Sequence, residues 1–274
     1  SVAEAVGDVT ASLQSDLVTL ERLGAAAIAA SGVHDVILMV DLGERREGVL
    51  PDDLPRFARD VASLPGVRVA GVGTNLTCFA GMVPTADNMN QLVDLAAQVE
   101  QATALELRWI SAGSSSALPL LAAGEMPERV NHLRIGEAIL LGRETVHHQP
   151  WPGTVQDAVL LRAEVVEVKD KPAPPPGPRA DRTFMHAPGP DNAGGRRALV
   201  ALGRADVDIE RLTPLDTGHR LLGAASDYLV VDVSEAAEPV AVGDTVTYGL
   251  DYSALVTAMA SIGVGTRIVA GRSG

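Results

Sequence analysis

Residues 36–48 read VILMVDLGERREG: five apolar residues in a row, then a polar, charged and glycine-bearing stretch. The apolar run is short and β-branched at both ends, which predicts a strand buried on both faces. The stretch Asp41 to Gly48 that follows is where such a strand would present chemistry. Working outward, the same pattern recurs. Gln14 to Ala30 is predicted to be a helix, with Leu17, Leu20, Leu23 and Ile28 as its apolar positions. Asp52 to Leu64 is a second helix, closed by Pro65-Gly66, and Val67 to Gly73 a second strand. Ala86 to Thr103, Leu105 to Ile110, Ser115 to Ala123 and Asn131 to Ile135 continue as helix, strand, short helix and strand. Strands alternating with helices imply a parallel sheet with right-handed crossovers. An open doubly wound sheet and a (β/α) barrel both satisfy this pattern.

From residue 151 the character changes. Val155 to Val168, Arg197 to Leu202, Asp227 to Val233 and Val240 to Leu250 read as strands, Lys171 to Gly195 as a Pro- and Gly-rich loop, and Tyr252 to Ile262 as a helix. An alternating half followed by a β-rich half predicts two domains, residues 1–150 and 151–274.

Composition narrows the function classes. The net charge of −13 argues against a nucleic-acid partner. No apolar run is long enough to span a membrane. The single cysteine, Cys78, excludes an internal disulfide and a cysteine zinc cage; a reducing cytoplasm is expected, and no metal site. Cys78 has no neighbouring histidine, which argues against a catalytic thiol. His147-His148 is read as a solvated linker pair. Asp206-Val207-Asp208 has no third ligand for a metal. Lysine occurs only at Lys169 and Lys171, so no apolar, pocket-forming segment carries one.

Four successive strand ends should face one pocket, because parallel sheets bind ligands at the C-terminal ends of their strands. Those ends carry Arg46; Gly73-Thr74-Asn75; Ser114, Ser115 and Ser116 at the start of a helix; and Arg134, Gly136 and Glu137. A helix start leaves backbone N–H groups without partners and suits a phosphate; the same serines also serve as ordinary caps. Gly136 either lets backbone approach a phosphate or relieves crowding. Each arginine meets a ligand anion or a local carboxylate; for Arg46, Asp41 and Glu47 are the local candidates.

ILMVDLGERREG (37–48), VGTNLTC (72–78), SAGSSSALPL (111–120), NHLRIGEAILLGRET (131–145) and RALVALGRADVD (197–208), with residues 222–232 and 242–258, resemble the alanine/ornithine racemase family. The resemblance runs from about Val9 to Met259. It implies a fold-type III pyridoxal 5′-phosphate-dependent amino-acid racemase of α/β class. Such a protein has a TIM-type (β/α) barrel followed by an all-β domain, and forms a homodimer. It takes an amino acid as substrate and interconverts L- and D-forms by removing and returning the Cα proton. It further implies that Arg134 meets the cofactor's ring nitrogen. Ser115, with Ser114 and the backbone of Gly136 and Glu137, would cradle the phosphate, and Tyr252 would reach the phosphate too. Arg46 would hold the cofactor phenolate or the substrate carboxylate. Asn75 stands where many members have a histidine against the ring, and Ser226 and Asp227 match a stretch that enters the partner's pocket. Two departures stand out. Gly203-Arg204 replaces a Gly-Tyr pair that supplies a catalytic tyrosine, which leaves the second base open between Arg204 and Asp227 and moves the match toward the ornithine type, with a polar or cationic substrate side chain. Asp206 and Asp208 either face its distal ammonium or only pair with Arg204 or cap a turn. The Schiff-base lysine of the family lies on its first barrel strand. It is expected upstream of Ser1, with the first barrel strands missing, an incomplete barrel with a bare edge, and the chain inactive alone. A non-catalytic relative that binds the cofactor without a Schiff base is the alternative.

Overall fold

In the computed structural model, which describes residues 2–173, 175–178 and 194–269, the apolar run around Val36 lies at the centre of a parallel sheet. The chain divides into two compact units, residues 1–154 and 155–274. The first unit opens with helix α1 (Val2–Asp8) and strand β1 (Ala11–Gln14), followed by α2 (Leu17–Ala29), β2 (His34–Met39), α3 (Leu54–Ala62) and β3 (Val67–Gly73). Then come α4 (Ala86–Thr103), β4 (Trp109–Ser111), a 3-10 turn Ser115–Ala117 running into α5 (Leu118–Ala122), and α6 (Glu137–Leu141).

All six side chains of β2 are buried, and β3 has one exposed residue, Arg68. Val36 and Leu38 on one face of β2, with Val40 just beyond it, pack against the helices, while Ile37 and Met39 on the other face are buried outside that cluster. Asp16 caps α2 by accepting from Thr19 N, and Thr85 with Asn88 forms a reciprocal capping box at α4. Met89, Leu92, Ala96 and Val99 on α4 meet Leu20, Leu54, Val61 and Val72 in one core. Each large aliphatic side chain buried there contributes roughly 1.5–3 kcal/mol. Where α2 crosses the turn before β3 the backbones touch. A Cβ on Gly24 would stand 2.3 Å from Pro65 O, so only glycine fits.

The strand order is β1-β2-β3-β4, each pair parallel. A doubly wound sheet reverses its order at a switch point. Sequential parallel strands are the staves of a (β/α) barrel, and this resolves the alternative that the pattern left open. Among the described residues β1 pairs only with β2, so the sheet is an arc with an edge there. β1 is an element the hydropathy reading does not contain. Asn131 to Ile135 is not the regular strand expected from its sequence. Asn131 N bonds Ile110 O, Ala112 N bonds His132 O, and Arg134 N bonds Gly113 O, but only the Ser111–His132 bridge is regular. The Asn131 side chain takes the bond that a strand backbone would make, accepting from Ile110 N.

The second unit contains β5 (Leu160–Lys171), β6 (Gly195–Val200), β7 (Leu212–Pro214), β8 (Arg220–Ala224), β9 (Leu229–Asp232), β10 (Thr245–Leu250) and α7 (Tyr252–Ala260). Its six strands form one antiparallel sheet in the order β7-β10-β5-β6-β9-β8. β5 alternates, with Leu161, Ala163 and Val165 buried beside Tyr248 in a separate core. The Pro- and Gly-rich stretch 171–195 lies for the most part outside the described residues.

Candidate active site

The C-terminal ends of β2, β3 and β4 and the segment 131–137 bring side chains from four sequence-distant stretches together. Arg134 is half-buried and donates to Ser111 Oγ through Nη1, and through Nη2 to Thr74 O at 2.9 Å and Asn75 Oδ1 at 3.4 Å. Burial pulls the Arg134 guanidinium below the ordinary arginine value, and the charge of Glu47 opposes that. Three of its five N–H groups are thus engaged, leaving Nε–H and one Nη1–H for another acceptor.

A guanidinium only donates, so Ser111 Oγ accepts from Arg134 and has its own proton to give. Its neighbour at 2.8 Å is His132 Nδ1, which accepts that proton in the Nε2–H tautomer of the imidazole. Its pKa is lowered from the usual value, first by burial and then by the charge of Arg134.

On the other side, Asn75 Nδ2 donates to Glu47 Oε1 at 3.1 Å. Glu47 also receives Arg46 Nε on Oε2 and Arg46 Nη2 on Oε1 at 2.8 Å. These bonds hold its carboxyl down to about 2. Of the two local carboxylates considered for Arg46, Glu47 is the partner. Asp41 instead accepts from Gly43 N and Arg45 N and shapes the loop.

Two serines lie beneath this network. Ser115 and Ser116 are each 2% exposed, and Ser116 Oγ donates to Leu76 O at 3.4 Å. Ser115 Oγ accepts from Ala138 N at 3.2 Å, tying it to the first turn of α6, where Gly136 is the cap and Glu137 the first residue. Ser114 Oγ is 3.2 Å from Ser116 Oγ. A Cβ on Gly136 would meet nothing within 4 Å, so the space beside this backbone is open. A buried carboxylate holds the adjoining loop. Glu44, 1% exposed, accepts from Phe79 N, from Thr77 N at 3.0 Å, Ala80 N at 3.2 Å and Met82 N at 3.3 Å.

The remaining expected residues lie in the second unit. Arg204 and Ser226-Asp227 meet there: Arg204 N bonds Ala225 O and Ala205 N bonds Ser226 O, both at 3.0 Å. Arg204 pairs with Glu210 at 2.7 Å. Ser226 and Asp227 are exposed. Tyr252 is exposed in the first turn of α7, capped by Asp251. A cleft of about 400 Å³ beside them is lined by Arg204, Asp206, Asp208, Glu210, Thr257 and Ser261 among others. Its aspartates are engaged within the fold. Asp206 accepts from Gly203 N at 2.9 Å and Ser261 Oγ at 3.3 Å, and Asp208 from Ser253 Oγ at 2.6 Å.

Sequence reasoning did not single out Ser111, His132 or Glu44. Ser111 and His132 stand inside the two motifs that mattered most, and the polar residue ending an apolar strand was their available signal. Among the described residues no three His, Cys, Asp or Glu side chains are grouped to hold a metal ion, and no helix is long and apolar enough to cross a membrane.

Sequential parallel strands end in a guanidinium with two N–H groups left over, beside buried hydroxyls and an open glycine backbone, an arrangement chemically suited to an acceptor-rich, anionic ligand. Comparison with known proteins makes the class specific. The profile of "Alanine racemase, N-terminal domain" matches residues 3–144. The chain is 39% identical over 252 residues to an ornithine racemase of Acetoanaerobium sticklandii, covering 91% of this chain and 71% of that protein. It is 37% identical over 227 residues to a lysine racemase of Thermotoga maritima, covering 82% and 63%. The fold is similar to that of D-threonine aldolase from Filomicrobium marinum (TM-score 0.64, 18% identity, 93% of this chain and 66% of that one). It is also similar to that of alanine racemase from Streptomyces lavendulae (TM-score 0.61, 21% identity, 91% and 65%). The chain belongs to the alanine racemase family of pyridoxal-phosphate-dependent amino-acid racemases, and spans about two thirds of the length of these relatives.

Proposed function

We propose that the protein works as a pyridoxal-phosphate-dependent racemase of an amino acid with a cationic side chain, as a homodimer in a reducing cytoplasm. The observation that carries the cofactor assignment is the half-buried Arg134, fixed by Ser111, Thr74 and Asn75 yet retaining two N–H donors. The residues fit the group. Arg134 would meet the ring nitrogen, and Asn75 lies beside it. Ser115, Ser114, Gly136 and Glu137 would take the phosphate, with Tyr252 as a further phosphate contact. Ser115 still has its hydroxyl proton to give, because its bond with Ala138 N uses only a lone pair. When bound, pyridoxal phosphate withdraws electrons from the amino acid's Cα and makes its proton removable.

The chain's own residues set the conditions. A guanidinium keeps its proton at neutral pH, so Arg134 offers a hydrogen bond without protonating the atom it meets. Arg46 is available to a carboxylate on the edge that Glu47 does not occupy. Arg204 and Asp227 are the candidates for the second proton-transferring group, with Ser226 beside them. Arg204 is paired to Glu210, which favours Asp227 as the acceptor of a proton. The cationic substrate side chain rests on the two curated relatives, one an ornithine and one a lysine racemase, and on Gly203-Arg204.

The test is a racemisation panel on the full-length holoenzyme, comparing alanine, serine, ornithine, lysine and arginine by kcat/KM. Ornithine or lysine should lead, and alanine ahead by tenfold or more would overturn the substrate class. The rival reading is a cofactor-binding relative without a Schiff base. Tight cofactor binding with no racemisation of any of the five would support that rival.

A further inference from the structure

Asn75 stands between two groups that each hydrogen-bond in one sense only. Glu47 accepts and Arg134 donates, and the amide gives its Nδ2 to the first and its Oδ1 to the second, at 3.1 and 3.4 Å. Flipped, the same amide would turn its NH₂ on the guanidinium and its carbonyl on the carboxylate. The charges at the two ends therefore dictate the orientation of the middle. Glu47 also receives two donors from Arg46. Arg46 and Glu47 side chains are 41% and 32% exposed, so the ion pair itself adds little stability. Its importance is positional: the Glu47 carboxylate is the point where the end of β2 grips the end of β3, and Asn75 passes that grip to Arg134.

We propose that Glu47 is a positioning residue of this site, which fixes the Asn75 amide and through it couples Arg46 to Arg134. The proposal deepens the function given above, because it takes these two arginines as the groups that meet the ligand. Glu47 itself touches no reacting atom. Without it, the Asn75 amide is held only on its Oδ1 side, by Arg134 and Cys78, and its grip on Nη2 loosens.

The experiment is a double-mutant cycle on the full chain without ligand, labelled with ¹⁵N-arginine, reading guanidinium N–H exchange of Arg46 and Arg134 separately. Glu47→Gln should speed exchange at both arginines, at Arg134 by about tenfold, the scale of one charge-assisted hydrogen bond. Asn75→Ala should do the same at Arg134 only. In the Asn75→Ala background Glu47→Gln should leave only the Coulombic remainder at Arg134, well under half of its effect in the wild type, while still releasing Arg46. An influence of Glu47 that was Coulombic throughout would persist at full size in that background, and full persistence overturns the proposal, as does an Arg134 that ignores Glu47→Gln altogether. Glu47→Ser repeats the cycle should Glu47→Gln lower the thermal midpoint, and Glu47→Asp should recover part of the protection. Because no ligand is present, intact coupling in a protein that racemises nothing would count against the proposed function alone. Absent coupling in an active racemase would count against the role of Glu47 alone.

Discussion

Replacing Glu44 by glutamine keeps the shape of a fully buried side chain and changes only which hydrogen bonds it can make. As glutamate, Oε1 accepts from Phe79 N and Ala80 N, and Oε2 from Thr77 N and Met82 N. As glutamine, one oxygen becomes an NH₂ that faces two backbone N–H groups. A hydrogen bond to a charged group is worth roughly 1.5–3 kcal/mol, and the 3.2 and 3.3 Å bonds belong at the low end. Two lost bonds would cost about 3–4 kcal/mol if the loop stayed in place. It has a cheaper way out: Phe79, Met82 and Val83 are exposed, so the loop can open to water. The expected net loss is therefore about 2 kcal/mol. Urea denaturation measures that loss. Native-state hydrogen exchange should show Thr77, Phe79, Ala80 and Met82 amides exchanging at least about tenfold faster, while β2 and β3 amides follow the global change. A midpoint shift equivalent to less than about 0.5 kcal/mol, with unchanged exchange at those four amides, would refute the assignment of Glu44 as the clamp.

Three further outcomes follow from the same geometry. His132 should titrate below the ordinary imidazole pKa of 6.5. Its stabilising contribution is whole above that value and lost as pH falls through the lowered one, and Arg134→Met should move the titration back up, read by imidazole NMR. Glu47, held near 2 against an ordinary 4.5, contributes fully above 4.5 and loses its contribution between 4.5 and about 2; Glu47→Gln should flatten the pH dependence of stability in that window. Gly203→Ala sets a Cβ 1.9 Å from Ser226 O and should destabilise the second unit by about 1–3 kcal/mol, with shifted amide signals at Ser226 and Asp227; an unchanged midpoint would contradict the packing.

What the sequence disclosed and what it hid have physical reasons. β2 and β3 were legible because strands covered on both faces are continuous apolar runs. β1 was not, since Ala-Ser-Leu-Gln is four residues long and lies at the edge of the sheet, where it has no such requirement. The alternation of β5 is a half-buried surface and could be read directly. Arg134, Asn75 and Arg46 stood out as polar residues at strand ends, and their motifs placed them together. Their partners did not. Ser111 and His132 are 21 residues apart and meet because the segment after α5 returns beside β4. Glu44 binds backbone N–H groups 33 to 38 residues away, and a backbone donor leaves no mark in the side-chain pattern. The same holds for Asp206, whose carboxylate closes a turn onto Gly203 N, where the sequence alone offered a turn cap, a bond to Arg204 or a ligand's ammonium.

The cofactor assignment to Arg134 is tested most directly by titrating the chain with pyridoxal 5′-phosphate in a calorimeter, wild type against Arg134→Met. One equivalent should bind to the wild type, and the substitution should weaken binding by about tenfold or more, the scale of a charge-assisted hydrogen bond lost from a half-buried site. Equal affinity in the two proteins, or no binding to either, would contradict it.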